Sequence, residues 1–102
     1  MKQDISKQQI DAWKAKYGDV FKISVGEGED KKSCYLRKPN RKELGAASSI
    51  GTSDPLKFNE FILNNCWLGG DPEIKTDDTL FLSVAPKLAN LIEIKDAELE
   101  KL

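Results

Sequence analysis

Histidine is missing altogether and other reactive side chains are scarce: the 102 residues hold no His, two Cys and one Met. Without imidazole the chain lacks the commonest general acid or base near neutral pH and the commonest neutral metal ligand. Ser-His-Asp, Cys-His and most zinc arrangements are therefore excluded. Cys34 and Cys66 form no CxxC pair, and each lies in an apolar stretch. That is the pattern of reduced, core-packed thiols rather than of a disulfide or a metal site. Also lacking is any apolar run near the ~20 residues that a membrane span needs, and the polar start Met1-Lys2-Gln3-Asp4 has no signal-peptide core behind it. The expectation is a cytoplasmic chain with no membrane partner.

What is present is charge, at 32% of residues, arranged unevenly. Residues 1–57 hold 12 Lys or Arg against 8 Asp or Glu, whereas residues 58–102 hold 4 against 9, so a net charge of −1 conceals halves of +4 and −5. Complementary ends suit head-to-tail self-association. A chain of this length buries roughly 60–70% of its unfolded surface, enough for one core but not for a cleft between two lobes. A single domain over residues 1–102 is expected, with no enzyme pocket.

The apolar pattern predicts an α+β fold: an N-terminal helix, one β-hairpin, then three helices packed as a small bundle against it. Ser6 as N-cap, Gln9 three residues on, the Ile5/Ile10 staple and the Ile10, Trp13, Tyr17 stripe predict a helix over 7–17, stopped by Gly18. Phe21, Ile23 and Val25 alternate along one strand, and residues 33–37 return after a glycine-rich turn. Asn40 with Glu43 opens a second helix. Asp54 and Pro55 open a third, over 56–68, for which Gly69-Gly70 reads as the stop. Thr76-Asp77-Asp78 opens the last helix, whose Leu80, Phe81, Val84, Leu88, Leu91 and Ile92 share one stripe, with Pro86 on the opposite side. The tail, 95–102, is expected to fray.

Four features carry candidate chemistry. The run Lys31, Lys32, Arg37, Lys38, Arg41 and Lys42, with Tyr35 among them, could meet phosphates and stack a base, but it also suits a solvated hairpin edge. A pI of about 5.5 and the acidic stretch just before the run argue against nucleic acid. Asp71, Glu73, Asp77 and Asp78 lack the spacing of a calcium loop, and helix capping accounts for Asp77 and Asp78, so no metal and no other cofactor is expected. Neither thiol has an identifiable base, so no catalytic residue is assigned. The fourth feature is an apolar surface: Leu91, Ile92, Leu99 and Leu102 extend past what a short helical body covers, leaving a stripe that self-association or a partner helix would complete.

The order of these pieces resembles a known kind of protein. A hairpin ending Tyr35-Leu36-Arg37-Lys38-Pro39 is followed by a helix opened by Asn40-Arg41-Lys42-Glu43-Leu44. Asp54-Pro55-Leu56-Lys57-Phe58, Cys66-Trp67-Leu68-Gly69-Gly70-Asp71 and Asp77-Asp78 come next, before a closing helix. Over residues 9–102 this is similar to small phage and prophage tail-assembly chaperone-like proteins. The resemblance implies a morphogenesis factor of the host cytoplasm, with no catalytic residues, that binds the tape-measure protein, keeps its apolar helices soluble and is absent from the finished virion. Trp67, Leu91 and Ile92 are then the candidate apolar contacts, with Arg37, Lys38 and Arg41 as their polar complement. Two alternatives stand beside this: a nucleic-acid-binding accessory protein of a mobile element, and a small structural tail component.

Overall fold

A computed structural model of the chain describes residues 5–92 and 96–102. The elements run α1 (Lys7–Tyr17), β1 (Val20–Val25), β2 (Lys32–Arg37), α2 (Arg41–Ile50), α3 (Pro55–Cys66), β3 (Trp67–Gly70), α4 (Glu73–Thr76) and α5 (Asp78–Leu88), with 3-10 turns at Gly28–Asp30 and Ala89–Leu91. The fold is α+β, as the apolar pattern predicts.

The helix starts follow from their caps. Ser6 accepts from the Gln9 amide at 3.1 Å, Asp54 from Leu56 at 3.1 Å, and Asp77 from Leu80 at 3.0 Å. At α2 the capping box closes in both directions: Asn40 accepts from the Glu43 amide at 2.8 Å while the Glu43 carboxylate accepts from the Asn40 amide at 3.0 Å. Each pairing satisfies backbone donors that a helix start would otherwise leave unbonded. Helix α5 runs through Pro86 to Leu88, and Pro86 and Leu82, whose carbonyl loses its helical donor, are both exposed, on the side away from the core.

The sheet has a third strand that the sequence reading missed. All pairs are antiparallel in the order β1-β2-β3. Helix α3 ends at Cys66, and Trp67 passes directly into extended backbone, so residues 67–70 are strand and not the end of a helix. Gly69 and Gly70 are therefore strand residues rather than a helix stop. The helix ends where it does because the Arg37 guanidinium, reaching from β2, donates to the Asn65 carbonyl at 2.8 Å. A cation on an unpaired carbonyl of the last turn substitutes for another turn of helix.

Alternation along the strands divides the sheet into two faces. Cys34 and Leu36 of β2, with their partners Ile23 and Phe21 on β1, face α2–α5 and join Ala47, Ile62, Leu63, Cys66, Ile74, Phe81, Val84, Leu88 and Leu91 in one core. The opposite face carries Lys22, Ser24, Ser33 and Tyr35 and is covered by α1, in which no residue is fully buried. Trp13 is the anchor of that outer layer: its ring lies 5.8 Å from that of Tyr35, and it covers Gly69, where a Cβ would come within 3.0 Å of Trp13 Cη2.

Candidate functional site

The sequence-derived contact residues fall at three separate junctions and form no single patch. Arg37, Lys38 and Arg41 lie where β2 runs into α2, Trp67 where α3 becomes β3, and Leu91 and Ile92 in and just after the turn that follows α5.

Arg37 is not available to a partner. Its two terminal nitrogens donate to both Glu43 oxygens at 2.8 and 2.6 Å, to the Asn65 carbonyl and, at 3.3 Å, to the Lys38 carbonyl. It fastens the end of β2 to the start of α2 and the end of α3. The hydrogen bonds hold the Glu43 carboxyl below its ordinary value and raise Arg37 further. Lys38 lies 3.8 Å from Asp19, and Arg41 is exposed on the first turn of α2. Lys32 is paired with Glu73 at 2.9 Å, a contact between the basic and acidic halves that raises its pKa. The basic run is thus partly neutralised from within.

Three of the four acidic candidates are also committed: Glu73 to Lys32, Asp77 to the Leu80 amide and Asp71 to Ser33. Asp71 is only 1% exposed, and its carboxylate accepts from the Ser33 amide at 2.8 Å while its own amide donates to the Ser33 carbonyl at 2.8 Å. This two-point pairing joins the start of β2 to the residue after β3. Among the described residues no group of three or more His, Cys, Asp or Glu is placed to hold a metal ion. Cys34 and Cys66 are free and buried, and burial pushes both thiols up to about 11. At neutral pH they are protonated and poorly nucleophilic.

Of the apolar candidates, Trp67 is half-buried against the core and carries the Lys75 ammonium 4.3 Å from its ring centroid. Leu91 corrects the sequence reading: at 2% exposure it belongs to the chain's own core, because the turn after α5 folds it inward. Ile92 is half-buried, and Leu99 and Leu102 are fully exposed in residues 96–102, which have no regular secondary structure. The tail's first residue, Lys95, lies outside the described residues.

What the sequence did not reveal is a groove of about 250 Å³ between β1 and the end of α5. Phe21 and Ile23 of β1 and the edge of Leu91 supply apolar lining, with Asn90 and Lys87 on the helix side, while the Lys22 ammonium lies 5.6 Å from the Tyr35 ring centroid on the face that α1 covers. β1 pairs only with β2 among the described residues, so its other edge borders this groove. A second cleft of about 290 Å³, between α3, α4 and α5, is lined by Glu60, Asn64, Lys75 and Asp78 over Leu63 and Phe81. Among the described residues no helix is long and apolar enough to cross a membrane.

No protein-family model matches the chain, and neither curated proteins nor solved structures yield a match.

Proposed function

We propose that this protein is a non-catalytic binding module of the tail-assembly chaperone kind, which holds an amphipathic segment of a phage tape-measure protein in solution in the host cytoplasm. The observation that carries this reading is the groove beside β1. An apolar lining from Phe21, Ile23 and the edge of Leu91, beside Lys87 on the helix side, suits an amphipathic segment that carries a carboxylate at its border. The resemblance in the order Leu36-Arg37-Lys38-Pro39, Asn40 to Leu44 and Cys66 to Asp71 supports the same reading. Two thiols held protonated at neutral pH give no support to a nucleophilic enzyme. Internal pairing of Lys32 and Arg37 weighs against phosphate contacts.

Co-expression with the tape-measure protein encoded at the same locus tests the reading. The expected result is a larger soluble fraction of that protein and co-purification of the two, both reduced by the groove-wall substitution Lys87→Glu. No gain in solubility with the wild-type chain overturns it. Mass spectrometry of purified virions provides a second check, since a stoichiometric presence in the particle would make the protein a structural tail component instead.

A further inference from the structure

We infer that α1 is an exchangeable segment, which leaves its own sheet and seats on the same face of a second copy of this chain, two such exchanges closing a pair. The inference is independent of the groove beside β1 and of any tape-measure partner.

The docking face and its occupant are both visible in the single chain. Helix α1 lies on the outer face of the sheet through Trp13, whose ring is 5.8 Å from that of Tyr35 on β2 and whose Cη2 covers Gly69 of β3. At the end of the helix the Tyr17 ring centroid lies 5.9 Å from the Arg37 guanidinium carbon. No residue of α1 is fully buried, so lifting it from the sheet uncovers far less apolar surface than opening the core. A second copy presents the same Tyr35, Gly69 and Arg37, and its outer face fits this helix as closely as the helix's own sheet does.

What ties α1 to its own sheet is the connector Gly18-Asp19, two residues between α1 and β1. To turn the chain back over so short a span, Gly18 takes φ +86° and ψ −127°, a conformation that glycine adopts freely and L side chains avoid. The closed and exchanged forms share the contacts of α1 with the sheet and differ at this connector. With Gly18 extended, α1 is directed away from its own sheet and towards a second copy. The balance between the two forms is therefore set at one residue, in the kind of short connector beside a terminal element where exchange arises. A Cβ at Gly18 would meet nothing within 4 Å, so a side chain there changes the backbone preference and no packing.

Sedimentation equilibrium of full-length variants tests this. The Gly18→Val chain is expected to dimerise with a dissociation constant at least about tenfold below that of wild type, because valine disfavours positive φ and an exchanged pair relieves two connectors at once. Circular dichroism of the dimer should show wild-type helix content, and its tryptophan emission should be unshifted, since both copies of α1 are seated. Gly18→Ala strains the same φ with a smaller side chain and should act in the same direction, which keeps the test open if valine prevents folding. Two further changes separate exchange from other association. Adding Trp13→Ala to the Gly18→Val chain removes the anchor and should return it to a monomer with less helix. Inserting two glycines after position 18 of the Gly18→Val chain gives the connector slack to turn back, and should return it to a monomer with full helix content. Position-18 variants no more dimeric than wild type, with α1 either seated or released, would overturn the inference. So would a dimer that survives the loss of Trp13 or the lengthened connector.

Discussion

The two faces of the sheet are built on different physical terms. The inner face is closed by apolar burial: Cys34 and Leu36 are fully buried against side chains from four helices and the turn after α5. The outer face has one helix, none of whose residues is fully buried, held by Trp13 on Tyr35 and Gly69, while the pair Ser24 Oγ and Ser33 Oγ at 3.0 Å joins β1 to β2 beneath it. Apolar area sets the stability of a domain this small. The inner face should therefore govern folding, while α1 acts as a cover whose loss is local.

The largest effect is expected where the two faces share one backbone contact. Gly70 has φ +130°, and a Cβ there would clash with the Ser33 carbonyl and come within 2.6 Å of the Cys34 Cα. Both neighbours are backbone, so nothing can rotate aside. Gly70→Ala should cost about 3 kcal/mol or more in urea denaturation, enough to unfold much of the protein. Next in size, Leu36→Ala removes a side chain with no exposure and should cost about 3 kcal/mol. Trp13→Ala, on the outer face, should cost no more than about half of that despite deleting the larger side chain. Equal losses for Leu36→Ala and Trp13→Ala would end the distinction between core and cover.

Arg37 and Glu43 provide an intermediate case, because they lock the inner helices through charge rather than area. Glu43→Gln should cost about 1–2 kcal/mol at pH 7, since it removes a charged acceptor from a bidentate pair. The pH dependence has a definite sign. The folded state holds Glu43 ionised below the ordinary glutamate range, so unfolding takes up a proton in acid. The contribution is complete above the unfolded value, about 4.3, and fades as pH falls through the lower folded value. The gap in stability between wild type and Glu43→Gln should therefore shrink with acidification, as thermal melts from pH 7 to pH 3 would measure.

How much of this was legible in the sequence follows the same division. Helix α1 over 7–17, the caps at Ser6, Asn40 and Asp54, and the solvent side of Pro86 were all readable, because caps and apolar periodicity are local signals. β3 was not, since Trp67-Leu68-Gly69-Gly70 is too short to show alternation and continues the apolar run of α3. Its strand character is imposed from a distance, by Arg37 on the Asn65 carbonyl and by Asp71 on Ser33. Arg37 and Leu91 were misread for a related reason: a charged or apolar residue near a surface element looks available until its partner, Glu43 in one case and the core in the other, is placed by tertiary contacts. The groove beside β1 joins residues 21–24 to 87–91, and no local pattern announces such a pairing.

The smallest effect is the most discriminating, because it concerns the residue next to the largest one. Gly69 pairs with Tyr35, and a Cβ on it would lie 3.0 Å from Trp13 Cη2 and 3.5 Å from Ile5 Cδ1, both side-chain atoms of the cover and its approach. Its φ is not in the left-handed region, so alanine meets no backbone strain, only an indole that has to shift by a few tenths of an ångström. If α1 is a cover that can adjust, Gly69→Ala should change stability by less than about 1 kcal/mol, and the change should vanish in a Trp13→Ala background. Such coupling would also show as a shifted tryptophan emission with little change in the urea midpoint. A loss comparable to that of Gly70→Ala would mean that α1 is pinned as firmly as the core, and the two faces of the sheet would then have to be treated as one cooperative unit.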